Sequence, residues 1–253
     1  MSDLTAHSDD VLEEHYRGLA DDYNRFLLYS PGFVRTLTTE MVDKLDLRPD
    51  DALADVGCGT GMYSLDILEQ VPLRHPILGA DPYPEMLAAI PEDADITPIA
   101  VDALTLSRQD RSYDKVLVKE SIHHVDDRPE FFANIHHRLP DGGRMLLVHV
   151  PPKVEYPLFE AALDRCLSWH ADPDELEDQL GQVGFTVDRD IVEYEHRIPT
   201  SHYMMMVENC YMSVLTSFSE EELQAGLSEM EEKYGDRDEL RFVDHFDYLT
   251  AVR

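Results

Sequence analysis

The sequence predicts an α/β fold, a doubly wound sheet of seven mainly parallel strands with an antiparallel last strand, an N-terminal helix and a helical lid insertion. Three observations carry that expectation. From Ala52 to Phe185 short apolar runs alternate with stretches of helical periodicity, the pattern of successive βα units over a parallel sheet. A glycine-crowded turn joins the first of those strands to its helix. The last run, Phe242 to Val252, alternates in hydropathy and follows a helical stretch, as a returning edge or antiparallel strand does.

The strand candidates are 52–56, 76–80, 96–101, 115–118 and 144–150, each short and apolar as buried strands are. Between them Met86, Leu87 and Ile90 share one helical face, and Phe131, Phe132, Ile135 and Leu139 share another. The second of these helices has Asp126 or Asp127 as its cap and Pro129 in its first turn. Asp172-Pro173 opens a helix with a Leu176, Leu180, Val183 stripe, and Gly184 stops it before a strand that begins at Phe185. Ser219 followed by Glu222 is a capping box for a helix bearing Leu223, Leu227 and Met230. With no repeat, low-complexity tract or linker, residues 1–253 read as one domain. Its parts are a helical cap over 1–50, a core over 51–198, a helical lid over 199–237 and a final strand over 238–253.

The formal charge is −31, from 52 acidic against 21 basic residues scattered along the chain. Such a surface repels phosphate backbones and anionic headgroups, so neither a nucleic acid nor a membrane is an expected partner. The absence of a long apolar run and of a signal-peptide pattern leads to the expectation of a soluble, cytoplasmic protein, monomeric or homodimeric. Cys58, Cys166 and Cys210 are too widely spaced for a paired metal knuckle or a disulfide framework, and no metal site is expected.

The strongest local signal is Asp55-Val56-Gly57-Cys58-Gly59-Thr60-Gly61, which leaves a strand and enters a helix. Glycines let the backbone turn sharply and approach a ligand, with helix N-terminal N–H groups facing it; a tight turn with no ligand is the alternative. A dinucleotide site of G-x-G-x-x-G type needs a third glycine where Met62 stands. The G-x-G-x-G spacing, with an acid two residues upstream, instead resembles motif I of the class I S-adenosylmethionine-dependent methyltransferases, of the small-molecule, ubiquinone- and menaquinone-biosynthesis type. The resemblance implies a Rossmann-like fold, S-adenosylmethionine as cofactor, S-adenosylhomocysteine as product and a small-molecule methyl acceptor as partner. It covers roughly Ala52 to Val150 well.

In that family Asp55 helps hold the cofactor's amino group, and Gly57, Cys58, Gly59 and Gly61 wrap its methionine part. Asp81 stands where a carboxylate accepts the ribose hydroxyls, which a dehydrogenase shares. Asp102, followed by Ala103, matches the position that accepts from the adenine amino group. Pro82, Tyr83 and Met86 would lie beside the nucleoside. The stretch Lys119-Glu120-Ser121-Ile122-His123-His124-Val125 resembles motif IV, with Lys119 and Glu120 close to the methionine end. Tyr16 and Tyr23, seven residues apart on one helix face, match a leading helix that closes over the cofactor, although core packing explains the spacing equally.

Methyl transfer from a sulfonium mainly needs alignment and exclusion of water. Where a base is needed, His123 and His124 stand beside the transferred methyl; their alternative role is to fix the loop by hydrogen bonds. Tyr203, Met206, Asn209 and Cys210 in the lid have the composition of an acceptor pocket, or of a buried helix. Trp169 and His170 could face the same pocket. Thiol or metalloid methylation, and cofactor binding without turnover, are the alternative functions; the atom methylated is open.

Overall fold

The structure, a computed structural model, describes residues 31–253. Tyr16 and Tyr23 lie outside the described residues. The first described helix is α1 (Pro31–Leu45), and β1 (Leu53–Val56), α2 (Met62–Gln70), β2 (Ile77–Asp81), α3 (Pro84–Leu87), β3 (Ile96–Ala100), α4 (Ala103–Arg108) and β4 (Lys115–Lys119) follow it. After a 3₁₀ turn at Ile122–His124 come α5 (Arg128–Arg138), β5 (Arg144–His149), α6 (Glu160–Trp169), α7 (Pro173–Gln182) and β6 (Thr186–Pro199). The chain ends with α8 (Thr200–Glu208), a 3₁₀ turn at Ser213–Ser217, α9 (Glu220–Tyr234) and β7 (Glu239–Val252).

The sheet order is β3-β2-β1-β4-β5-β7-β6. Every pair among the first five strands in that order is parallel, and β7 runs antiparallel between β5 and β6. The expected Rossmann-like architecture is therefore the observed one. Strand order reverses between β1 and β4, and the crevice outside their carboxyl ends is where open α/β sheets place ligands. Register sets what meets there. Val56 lies opposite Ala80 on β2 and Val118 on β4, and Asp81 opposite Ala100 on β3, so the four strands end level with one another.

Period-two alternation sorts the buried residues to the two faces. Leu53, Ile77, Leu117, Leu146 and Val148 join one cluster with Phe33, Leu37 and Met41 of α1. Their neighbours Ala54, Leu78, Val116, Val118 and Leu147 join the other with Phe131, Phe132 and Ile135 of α5. On the outer strand β3, Thr97 and Pro98 are exposed, as a proline that cannot donate to a ladder requires.

The predicted punctuation is present. Asp127 caps α5 by accepting from the Glu130 N–H at 3.0 Å, and Asp172 caps α7. Ser219 and Glu222 form the full capping box of α9. Strands β6 and β7 form one long antiparallel pair, in register from Thr186 with Val252 to Pro199 with Glu239. Between them α8 and α9 bury Tyr203, Met206, Val207, Leu223 and Met230 in the α1-side cluster. This insertion is thus part of the core.

The turn after β1 is the tightest constraint. Gly57 has φ +77, and a Cβ there would stand 2.4 Å from both Cβ and Oγ of Ser121. Ser121 Oγ donates to the Val56 carbonyl at 2.9 Å, tying the exit of β4 to the exit of β1. Glycine supplies both the conformation and the room. Gly57→Ala should therefore cost about 1–3 kcal/mol and lower the thermal midpoint by several degrees; an unchanged melting curve would show that the two exits are not packed this way.

Candidate functional site

The loops after β1, β2, β3 and β4 all contribute to one cavity of about 390 Å³, within the range of small-ligand sites. The β1 exit supplies Asp55 to Thr60, with Met62 and Tyr63 of α2. The β2 exit supplies Asp81, Pro82, Tyr83 and Met86, and the β3 exit Val101, Asp102 and Ala103. The β4 exit supplies Lys119, Glu120, Ser121 and His123 to Asp126, while Ser168 and Trp169 close the cavity from α6.

Three aspartates at successive strand ends differ in their environments. Asp55 is buried and accepts from Ser64 Oγ at 2.7 Å. Burial raises its pKa to about 6; the Ser64 hydrogen bond and the Lys119 ammonium oppose the rise, and repulsion from Asp81 adds to it. Asp81 accepts from the Gly59 N–H at one oxygen and the Tyr83 N–H at the other, both at 2.9 Å. Burial raises its pKa, and these two bonds oppose that. Asp102 is the N-cap of α4, accepting from the Thr105 N–H at 2.8 Å and from Thr105 Oγ1 at 2.6 Å. Partial burial works against its charge, but the Thr105 and backbone hydrogen bonds outweigh it and hold the carboxyl below its ordinary range. Each carboxylate keeps lone pairs beyond these bonds.

Gly61 does not line the cavity. It is the left-handed N-cap of α2, at φ 72, and its α-carbon faces Ile90 and Ile96. The other sequence-predicted cofactor residues in the described part, Asp55, Gly57, Cys58, Gly59, Asp81, Pro82, Met86, Asp102, Ala103, Lys119 and Glu120, all line it.

Beyond β4 the backbone is strained. Glu120 adopts φ 54, a left-handed conformation rare for a residue with a side chain. It is pinned on both sides, because its N–H donates to the Val148 carbonyl and its Oε1 accepts from the Val150 N–H, each at 2.8 Å. That twist aims the next turn so that His123 and His124 face the cavity, with ring centroids 4.1 Å apart. His123 is half-buried, with its Nε2 covered. Burial, followed by repulsion from His124, His170 and His149, holds its pKa well below the usual value, so the ring is neutral at pH 7. Its Nε2 has no hydrogen-bond partner among the described residues, and neither ring nitrogen of His170 has one.

A second cavity of about 110 Å³ shares Tyr63, Lys119, Glu120 and His123 with the first. Phe33, Tyr156, Phe242 and Phe246 supply aromatic walls, and Asp244 and His170 supply polar groups. The insertion contributes Tyr211, Met212, Ser213 and Val214 from the turn after α8. The lid residues expected from sequence fall elsewhere. Tyr203 and Met206 are fully buried in the core and line neither cavity. Asn209 Nδ2 donates to the Met205 carbonyl, and Cys210 forms the turn at φ 50. The reason is periodicity: on a helix packed against β6 and β7 the apolar stripe turns inward, leaving the turn beyond it to face the cavity. Trp169 and His170, expected to face one pocket, line different ones, Trp169 the first cavity and His170 the second.

Sequence reasoning missed Tyr63, Asp244 and the aromatic walls. A signal existed for part of the wall, since Phe242, Asp244 and Phe246 alternate on one face of β7. Among the described residues no three His, Cys, Asp or Glu side chains gather as a metal-holding group, and no described helix is long and apolar enough to cross a membrane.

Residues 53–143 match the family model described as a methyltransferase domain. A phosphoethanolamine N-methyltransferase of Triticum aestivum is 30% identical over 129 residues, 47% of this chain and 25% of that protein. The chain thus spans about a quarter of the length of that relative. Among solved structures, a Haemonchus contortus phosphoethanolamine N-methyltransferase in complex with phosphomonomethylethanolamine and S-adenosylhomocysteine aligns with a TM-score of 0.56 at 19% identity, over 86% of this chain and 52% of that one. A cyclopropane synthase of Mycobacterium tuberculosis aligns with a TM-score of 0.61 at 18% identity, over 99% of this chain and 100% of that one. Residues 53–143 are thus similar to a methyltransferase domain, and the sheet that carries them has the Rossmann-like fold of the aligned structures.

Proposed function

We propose that the chain binds S-adenosylmethionine in the larger cavity and transfers its methyl group to a small molecule in the smaller one. The observation that carries this reading is the row of Asp55, Asp81 and Asp102 on one cavity in which, among the described residues, Lys119 is the single Lys or Arg of the lining. Carboxylates suit a ligand with an amino group, ribose hydroxyls and an adenine amine, and repel the pyrophosphate of a dinucleotide. Met62 lines the cavity where a dinucleotide site would need glycine. The match to a methyltransferase domain and the S-adenosylhomocysteine in the Haemonchus contortus complex support the same ligand.

In this reading the Asp81 carboxylate, fixed by two backbone N–H groups, accepts the ribose hydroxyls through its remaining lone pairs. Asp102 accepts the adenine amine while capping α4. Asp55 holds the amino group of the methionine part. The bound sulfonium supplies an already activated methyl, and the residues at the junction of the cavities, Tyr63, Lys119, Glu120 and His123, enclose the path and exclude water. Neutral His123 can accept a hydrogen bond or a proton from the acceptor.

Among the described residues no cysteine is poised as a thiolate to receive a metalloid acceptor. Burial raises the thiol pKa of Cys58 first of all, and of Cys166 to about 11, so both stay protonated and weakly nucleophilic.

Two experiments check the proposal. Incubation with methyl-labelled S-adenosylmethionine and a cell extract should move label into a small-molecule fraction; label confined to macromolecules, or left on the cofactor, would overturn it. The second concerns pH. Asp55 has a folded pKa of about 6 against an ordinary 3.8, so its contribution to stability is present below about 3.8 and lost as pH rises through about 6. Ligand binding has the opposite sign, because the ligand's ammonium needs the ionised carboxylate. Affinity for S-adenosylhomocysteine should therefore rise about tenfold from pH 5 to pH 7 and then level off. Asp55→Asn should weaken binding and flatten that profile; a steep profile retained in the variant would remove Asp55 from the site.

A further inference from the structure

The side chain of Lys119 stands where the two cavities meet, with aromatic rings as its near neighbours. Its Nζ lies 4.3 Å from the ring centre of Tyr63 and 5.3 Å from that of Phe246. Among the described residues it makes neither a hydrogen bond nor an ion pair within 4.0 Å. Three carboxylates act on it from a distance, Glu120 from its own strand exit, Asp244 from β7 and Asp55 from β1. Each of them already has a donor. Glu120 accepts from the Val150 N–H, Asp55 from Ser64, and Asp244 Oδ2 lies 2.6 Å from His196 Nε2 while also engaging Tyr156.

An ammonium on a cavity wall with no hydrogen-bond acceptor among the described residues is free to donate to an oxygen brought by a ligand. Two neutral imidazoles line the same small cavity, and among the described residues His123 Nε2 and both ring nitrogens of His170 have no hydrogen-bond partner. A neutral imidazole always carries one N–H, so His170 offers a donor as well as an acceptor. The walls are flat aromatic rings.

Resting on the cofactor reading above, we propose that the smaller cavity takes an acceptor with an acidic hydroxyl, an enol or a phenol, and that Lys119 and the two imidazoles hold its oxygen as the anion that is methylated. The hydroxyl proton leaves to solvent on binding. The oxyanion's lone pair then forms the O–CH₃ bond as the S–CH₃ bond breaks, and that pair stays on sulfur. Oxyanion and sulfonium become a neutral ether and a neutral thioether, so no base has to act during transfer. An ammonium acceptor is the opposite case, since it would place a second cation between Lys119 and the sulfonium. Burial lowers the Lys119 pKa, while Glu120, Asp244 and Asp55 oppose that fall; an oxyanion beside Nζ adds to their effect and keeps the group charged.

The test uses 4-nitrophenol, whose phenolate absorbs visible light, on the full chain saturated with S-adenosylhomocysteine. The bound probe should ionise at a pH about one unit below the free probe, a tenfold shift. Lys119→Met should return the midpoint to or above the free value, and Lys119→Arg should restore most of the shift. Because the wild-type titration needs no variant, it decides the matter even if Lys119→Met does not fold. An unshifted or raised midpoint in the wild type, or saturable binding of ethanolamine and none of nitrophenol, overturns the proposal. Failure of S-adenosylhomocysteine itself to bind would instead overturn the cofactor reading beneath it.

Discussion

The close approach of the β1 and β4 exits governs the geometry of everything near the site. Gly57 lies against Ser121 with no room for a side chain, and the Ser121 hydroxyl bonds back to the carbonyl at the end of β1. Parallel pairing sets the two strands level, and this contact brings their loops together at the reversal of strand order. One side of the contact carries the glycine turn with Asp55, and the other carries Lys119, Glu120 and the two histidines. A small shift there would separate the carboxylates of the larger cavity from the imidazoles of the smaller one.

Charge is distributed with the same economy. The larger cavity gathers acids from β1, β2 and β3, and burial makes ionisation of Asp55 and Asp81 harder than in water. A cationic ligand beside these buried carboxyls would favour their ionised forms. The smaller cavity is governed by enclosure. Glu120 is held at φ 54 by bonds at both its backbone and its side chain, and this twist turns His123 into a space where it stays neutral. Backbone strain at such a position is stable only where its surroundings over-determine it.

The fold was legible because buried strands and capped helices leave local signals. The residues of β1 through β5 read as short apolar runs, and Asp127, Asp172 and Ser219 marked helix starts that the structure shares. The residues of the larger cavity were legible for a related reason, since its side chains follow strand ends at fixed offsets. The smaller cavity was not. It is assembled from α1, α2, α6, the turn after α8 and β7, segments far apart in sequence whose meeting depends on how the insertion packs. In that insertion polar and thioether side chains at Tyr203 and Met206 suggested a pocket, yet helix packing turned both inward. Gly61 stands apart from the other glycines of the turn, its positive φ serving the start of α2. The dual work of Asp102, as helix cap and as candidate adenine acceptor, could not be separated from sequence because one carboxylate can do both.

The central claim is that a glycine turn and three aspartates at successive strand ends make a cavity for an adenosyl sulfonium and not for a pyrophosphate. Calorimetric titration of the full chain with S-adenosylhomocysteine and, separately, with NADH tests it most directly. Saturable heat from S-adenosylhomocysteine and none from NADH is the expected result; tight uptake of NADH with no heat from S-adenosylhomocysteine would contradict it.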